Sequence, residues 1–227
     1  MRKLIFMVVG ALLLTFAVAP AAAADGKAHV RVAHFSADTP TVDIFVNGAP
    51  SAIKALQYKS VSDWVDFDPG SYTFSTFTKG ALRSGVFDLK ADTWVTVAAV
   101  GSLKNNTLKL IGIDEDHSAI AKGRARIIIF QGIEDSSAVD VRSGNSLIAS
   151  KLAFPGTQGP TGHKNDGVVT LTEKAGTYDL KIVPAGKKTP VLAELAATEL
   201  KENTNYLVAA IGTKDKPEID LVATTQS

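Results

Sequence analysis

A histidine, a serine and two aspartates lie close together between positions 34 and 43. They are His34, Ser36, Asp38 and Asp43. A histidine beside carboxylates is a combination that can act as a general base or bind a metal. Buried polar groups more often satisfy one another, in which case His34 would hydrogen-bond the aspartate-rich loop and fix its shape. The sequence leaves both roles open, and we take these four residues as candidate ligand-binding residues.

Four aspartates are candidate calcium ligands. Asp38 and Asp43 could act together with loop carbonyls, and Asp114 and Asp116 lie in an acidic run in the middle of the chain. Calcium prefers such oxygen ligands, but the acidic residues do not have the spacing of an EF-hand loop. Calcium therefore stays open as a cofactor, and no other cofactor is predicted.

The standard catalytic patterns are missing from this chain. The sequence contains no GxSxG, no HExxH, no Walker loop and no GxGxxG after a strand, and its four histidines are scattered. Because an active site needs convergent groups, and only one loop offers any, we predict that the protein is not an enzyme. The enzymatic alternative is a hydrolase centred on His34 with Asp38 or Asp43.

The sequence also repeats itself. Two early segments and two later ones recur, which indicates two homologous modules in tandem. We place them at residues 25–118 and 119–227. The recurring pairs are 30–36 with 126–131, 42–48 with 139–144, 69–74 with 175–180, and 96–101 with 207–212.

The repeat allows candidate residues to be tested against their counterparts. Asp43 and Asp140 are equivalent, so we expect this aspartate to serve the fold itself by accepting backbone hydrogen bonds. The histidine is not repeated, and we expect Ile129 to stand in its place in the second module.

A glycine- and proline-rich segment at residues 155–167 is specific to the second module. The offset between equivalent residues rises from 96 at Gly48 and Gly144 to 106 at Gly70 and Gly176, which locates an insertion here. Long loops on rigid scaffolds often carry binding surfaces, although a solvated insertion without a role fits equally well. Its candidate ligand-binding residues are Gln158, His163 and Lys164.

The periodicity within each module is that of β-strands. Residues 72–76 and 178–182 alternate between apolar and polar, as half-buried strands do, and residues 94–100 and 206–211 are apolar on both faces, as central strands are. Residues 191–201 contain helix-forming types, but their counterpart in the first module is a poor helix, so we predict a strand. The predicted fold is all-β, with two tandem antiparallel, immunoglobulin-like β-sandwich modules of about seven strands each.

The first 24 residues have the pattern of a secretory signal peptide. Arg2 and Lys3 precede an apolar run, and small residues at Ala22 and Ala24 match a cleavage site after Ala24. The apolar run is shorter than the roughly 20 residues that span a bilayer, so we expect no transmembrane anchor in the mature form. Export is therefore predicted, to the cell surface or the extracellular space, with the periplasm left open.

Composition narrows the choice of partners. Without its first 24 residues the chain has 22 Lys and Arg against 23 Asp and Glu, which gives no basis for nucleic-acid binding. It contains no cysteine, so no disulfide can form and each module must be held by core burial.

The segment 34–48 reads HFSADTPTVDIFVNG and resembles the DUF4397 family, whose modules begin with a motif close to HxSPDAPxVDVYVDG. Residues 69–72 and 97–101 resemble further landmarks of that family. Ala37 stands where the family has proline, and the second module keeps only Val139-Asp140-Val141. The resemblance implies a secreted or surface protein of bacteria or archaea, and it implies no established activity.

These observations together predict an exported, non-enzymatic protein of the cell surface or extracellular space that acts as an adhesive or ligand-binding module. An envelope polysaccharide or another surface protein would be its partner. The alternative is a self-associating structural subunit of a surface layer or filament, because a nearly neutral chain has little charge to oppose association.

Overall fold

The computed structural model describes residues 26–78, 80–157 and 166–225. The predicted signal peptide lies outside the described residues, as do Gln158, His163 and Lys164. Among the described residues, none belongs to a helix long and apolar enough to cross a membrane.

The first module contains eight strands in two four-stranded sheets. The inner sheet has the order β4-β1-β7-β8 and the outer sheet the order β3-β2-β5-β6. The strands are β1 (Ala28–His34), β2 (Ile44–Val46), β3 (Ala49–Pro50), β4 (Val65–Phe67), β5 (Gly70–Thr78), β6 (Ala81–Leu89), β7 (Trp94–Val100) and β8 (Lys109–Glu115).

The second module repeats this arrangement with eight further strands. Its inner sheet has the order β12-β9-β15-β16 and its outer sheet the order β11-β10-β13-β14. The strands are β9 (Arg124–Gln131), β10 (Val139–Ser143), β11 (Ser146–Leu152), β12 (Val168–Lys174), β13 (Gly176–Pro184), β14 (Ala193–Leu200), β15 (Thr204–Gly212) and β16 (Pro217–Thr225).

The all-β, two-module sandwich architecture predicted from the sequence is confirmed, and β14 lies within the segment predicted as a strand in spite of its helix-forming residues. Two details differ from the prediction. Among the described residues each module has eight strands instead of about seven, and each inner sheet contains one parallel pair, β1 with β7 and β9 with β15. The parallel pairs arise because β1 and β7, like β9 and β15, are joined by a long crossover through the outer sheet, which permits parallel pairing.

Each module has its own apolar core between its two sheets. The first is built around Val30, Val32, Phe74 and Val97, and the second around Ile127, Ile129, Leu180 and Val208. All of these side chains are almost completely buried.

A third apolar core joins the two modules. Alternate residues of the inner-sheet strands point away from their own module, and there the two inner sheets pack against each other, so the molecule consists of four stacked sheets. Its buried members are Ala33, Phe35, Ala98, Val100 and Ile113 from the first module and Ile128, Phe130, Phe154, Leu207, Ala209 and Ile211 from the second. This packing explains why residues 94–100 and 206–211 are apolar on both faces.

Candidate functional site

Four loops meet at one end of the interface between the modules. They follow β1, β7, β9 and β15, so each module contributes two equivalent loops. Between them lies an open cleft of about 330 Å³, which we call the loop cleft. Its charged and amide side chains, apart from Asp38, are Lys104, Asn105, Glu134, Asp135, Lys214 and Asp215.

Two equivalent glycines fix the backbone at the start of the β7–β8 and β15–β16 loops. Gly101 and Gly212 have φ values of +90° and +94°, a region that favours glycine. A Cβ at Gly101 would lie 2.6 Å from the carbonyl oxygen of Thr107, and one at Gly212 would lie 2.4 Å from that of Lys216. Both loops therefore depend on a residue without a side chain.

Asp38 ties two loops of the first module together. Its Oδ2 accepts hydrogen bonds from the Ser102 hydroxyl (2.6 Å) and the Lys104 amide (3.0 Å), and its Oδ1 accepts one from the Leu103 amide (2.8 Å). Partial burial raises the pKa of Asp38, but these hydrogen bonds outweigh it and hold the pKa below its ordinary value. The Asp38 carboxylate thus shapes the rim of the loop cleft.

His34 lies behind the loop cleft and has no exposed surface. The Ser36 amide donates to its Nδ1 at 3.4 Å, which leaves the proton on Nε2, and Nε2 donates to the Pro40 carbonyl at 2.9 Å. Burial lowers the pKa of the imidazole, which favours the neutral form needed to accept from Ser36. His34 therefore shapes the loop after β1, which was the second of the two roles open from the sequence.

Ser36 is also buried and completes this loop. Its hydroxyl donates to the Gly101 carbonyl at 2.7 Å and lies 2.7 Å from the Thr39 hydroxyl. It connects the β1–β2 loop to the glycine turn after β7, and it does not line the loop cleft.

The expectation that Ile129 replaces the histidine in the second module is wrong. His34 pairs with Ala99 across the parallel strands, Gln131 pairs with Ala210, and Ala99 and Ala210 are equivalent in the repeat. Ile129 points into the core of its own module. The sequence carried this signal, because the offset of 97 between Asp43 and Asp140 also maps His34 onto Gln131.

Gln131 makes the same kinds of hydrogen bond as His34. Its Oε1 accepts from the amide two residues on, that of Ile133, at 3.3 Å, and its Nε2 donates to the Ser136 hydroxyl at 2.9 Å. One side chain with an acceptor and a donor thus holds the loop after the first strand in both modules.

Asp43 and Asp140 accept backbone hydrogen bonds, as the repeat predicts. Asp43 Oδ1 accepts from the Ala55 amide at 2.7 Å, and Asp140 accepts from the amides of Lys151 (2.9 Å) and Gly186 (2.8 Å). Ala55 and Lys151 both have positive φ, at 49° and 55°. The aspartate therefore holds a left-handed turn at the same place in each module.

Pro155 and Gly167, at the two ends of the insertion in the second module, lie near the loop cleft. On one side, the Pro155 carbonyl accepts a hydrogen bond from Lys109 Nζ at 2.8 Å. On the other, the Gly167 carbonyl accepts one from the Gln131 amide at 2.8 Å. Both anchor points lie at the end of the interface where the four loops meet.

The acidic run between the modules is engaged in protein contacts. Asp116 forms an ion pair with Arg126 at 3.1 Å and accepts a hydrogen bond from the Ser118 amide at 2.8 Å. Asp114 lines a second, wider cleft of about 820 Å³ at the opposite end of the interface. Within the described part of the chain, no three histidine, aspartate or glutamate side chains are grouped as a metal site requires. Calcium binding by Asp38, Asp43, Asp114 and Asp116 stays a prediction.

A buried ion pair beside the wide cleft was not foreseen from the sequence. Arg31 Nη2 contacts Glu115 Oε1 at 2.7 Å, and both side chains are at most 4% exposed. Burial raises the pKa of Glu115, but its hydrogen bond with His117 and the charge of Arg31 outweigh this effect and hold the pKa below its ordinary value. Arg31 also donates to Thr224 of the second module at 3.3 Å. The pair thus lies within the interface between the modules.

Trp94 lies beside this ion pair and is covered on both sides. His29 stacks on one side with ring centroids 4.3 Å apart, and His117 stacks on it at 4.6 Å. The two faces of the Trp94 ring are therefore covered by side chains of the same chain.

Comparison with known proteins gives one family and several distant structures. A protein-family model described as a domain of unknown function (DUF4397) matches residues 28–142. No curated protein matches the chain significantly. Among solved structures, a candidate cell adhesion protein from Bacteroides uniformis ATCC 8492 is 9% identical with a TM-score of 0.29, and the match covers 89% of this chain and 99% of that one.

Two further structures match smaller parts of their own chains. The Bacillus anthracis TIE protein is 8% identical with a TM-score of 0.26, over 85% of this chain and 34% of that one. A leucine-rich repeat protein from Bacteroides thetaiotaomicron VPI-5482 is 15% identical with a TM-score of 0.19, over 89% of this chain and 27% of that one. TM-scores of this size carry no conclusion about the present chain.

Proposed function

The chain belongs to the DUF4397 family of domains of unknown function, and from this premise we propose that it is an exported, non-enzymatic binding protein whose ligand occupies the loop cleft. The proposed location is the cell surface or the extracellular space. The signal-peptide pattern of the first 24 residues supports export.

The observation that carries the proposal is the convergence of equivalent loops from both modules on one cleft. Loops on a rigid sandwich are free to present side chains without disturbing the core. Here the loops are held by Asp38, by His34 and Gln131, and by the two glycine turns, so the cleft is preorganised. Preorganisation lowers the entropy cost of binding.

The chemistry of the loop cleft suits a polar ligand rich in hydroxyl groups. Glu134, Asp135 and Asp215 offer carboxylate acceptors, and Lys104 and Lys214 offer ammonium donors. We therefore propose a saccharide of the cell envelope as the ligand.

The arrangement of the polar groups supports binding over hydrolysis. A general base must reach the proton that it removes. His34 has no exposed surface, and both of its ring nitrogens are engaged with the backbone. Asp38 accepts three hydrogen bonds from the neighbouring loop.

The test is binding of residues 25–227 to an array of bacterial envelope glycans, followed by calorimetry on the best one. Lys104→Ala and Asp215→Ala, one from each module, should each weaken binding by about tenfold or more, because each removes a charge-assisted hydrogen bond. Lys90→Ala and Asp88→Ala, which line the wide cleft, are the matched controls and should bind as the wild type does. Failure of every glycan to bind, or equal effects in the two clefts, would overturn the proposal.

A further inference from the structure

The outer face of the first module carries an uncharged patch on its two longest strands, β5 and β6. Its sheet, β3-β2-β5-β6, turns Ile44, Val46, Phe74 and Phe87 towards the core, so the alternate residues point outward. Three of the outward side chains are large, apolar and well exposed: Phe77 (59%), Leu82 (59%) and Val86 (68%). The outward residues from Thr73 to Val86 that the structure describes are uncharged, and Asp88, opposite Ser71, is a charged outward residue at the end of the two strands.

These apolar residues lie on the same face of β5 and β6. Phe77 and Leu82 pair directly across β5 and β6, and Val86 lies four residues further along β6 on the same face. Ser75 pairs with Ser84 between them and with Phe45 of β2 on its other side. Exposed apolar side chains grouped on one face of a sheet can mark an interaction site, whereas apolar residues exposed singly need no such explanation.

The second module provides an internal control, because its outer sheet is related to this one by the repeat. Phe45 corresponds to Arg142, and the Ser75–Ser84 pair corresponds to Lys181 and Glu194, which form an ion pair at 3.3 Å. The same sheet face is thus charged in one module and apolar in the other. The apolar character belongs to the first module and is not a property of the fold.

We propose that this outer face is a self-association surface, on which a second copy of the chain packs the same face. An uncharged patch can meet its own copy without bringing like charges together, and Asp88 lies at its end, away from the Phe77–Leu82 pair. The chain already uses this kind of contact, because its two inner sheets pack face to face through the third apolar core. The first module therefore has an apolar surface on both sides, one covered within the chain and one covered in the dimer.

The size of the surface sets the expected strength. Three strands across and the six residue steps from Ser71 to Phe77 along give about 14 by 20 Å. This is well below the roughly 800 Å² per partner of a standard interface. The expected dimer is therefore weak, with a dissociation constant of about 0.1–1 mM.

The experiment is sedimentation equilibrium of residues 25–227 from about 10 µM to about 2 mM, a range that spans the expected dissociation constant. The wild type should shift from monomer mass towards dimer mass. A Leu82→Glu/Val86→Glu variant should stay monomeric, because the paired faces would then hold like charges. Leu147→Glu, at an outward position of the second module that is 50% exposed, is the matched control and should dimerise as the wild type does.

A charge-swap mixture tests the face-to-face arrangement directly. Equal amounts of the double glutamate variant and a Leu82→Lys/Val86→Lys variant should recover dimer mass, although neither does so alone. A monomer mass at every concentration, undiminished dimerisation of the double glutamate variant, or no recovery in the mixture would each overturn the proposal. The outcome is independent of glycan binding at the loop cleft, which lies on another part of the molecule.

Discussion

The two modules share one design for their loops and differ in the side chains that carry it out. His34 and Gln131 occupy the same register position, accept a hydrogen bond from the amide two residues on, and donate one to the following loop. What they share is an acceptor and a donor in a fixed geometry. The ability to titrate belongs to His34 alone, so it is not what the position requires.

The faces that meet between the modules differ in the same way. Arg31, Thr96 and Glu115 of the first module correspond by register to Ile128, Leu207 and Thr224 of the second. One module thus places a buried ion pair where the other has apolar and hydroxyl side chains. The fold tolerates either set of side chains. The unfolding free energy lost on a substitution depends on whether a buried charge is left without its partner.

Removal of one member of the ion pair should have the largest effect. Arg31→Ile installs the residue of the second module but leaves the Glu115 charge buried without its partner, which should cost about 3–5 kcal/mol of unfolding free energy. Arg31→Ile combined with Glu115→Thr reproduces the second module and should recover most of that loss. Urea denaturation of residues 25–227 measures both.

The control for this comparison is an exposed ion pair of the same module. Lys27 pairs with Asp68 with side chains that are 49% and 78% exposed, so Lys27→Ala should cost far less unfolding free energy than Arg31→Ile. The interpretation fails if Arg31→Ile costs no more than this control, or if the double variant is less stable than the single one.

The glycine turns should respond alike in both modules, since here the modules do not differ. Gly101→Ala and Gly212→Ala each combine a positive φ with a Cβ that overlaps a carbonyl oxygen, so each should cost about 2–3 kcal/mol. Gly48→Ala and Gly144→Ala also have positive φ but meet no atom within 4 Å, and should cost about 1 kcal/mol. The measurement is thermal unfolding, and unequal effects at Gly101 and Gly212 would contradict the equivalence of the two loops.

The strands could be predicted from the sequence because their signal is local. Two-residue alternation and the repeat gave the sandwich fold, and the apolar runs at 94–100 and 206–211 showed strands buried on both faces. The sequence could not show that the second face of each run is covered by the other module. That contact joins residues such as Phe35 and Phe130, which no local pattern relates.

The candidate site could be predicted only in part. The repeat correctly indicated a fold-intrinsic role for Asp43 and Asp140, since a residue kept in both modules serves what both modules share. The ion pair of Arg31 and Glu115 was missed because its members are 84 positions apart, and neither lies in a motif. The loop cleft was missed for the same reason, since its four loops meet only when the modules pack.

The smallest effect, and the one that separates geometry from titration, is expected for His34→Gln. At pH 7.5 the glutamine can accept from Ser36 and donate to Pro40, so the unfolding free energy should change by less than about 1 kcal/mol.

Burial lowers the pKa of His34 in the folded chain, so the unfolded chain binds its proton at a higher pH. The stability that neutral His34 contributes is therefore complete above about pH 6.5 and is lost as the pH falls below it towards the folded pKa. The wild type should lose more stability than His34→Gln across that window, and Gln131→His should add a similar loss. Equal losses of stability in the wild type and in His34→Gln on acidification would contradict this prediction. They would mean that the pKa of His34 is the same in the folded and the unfolded chain.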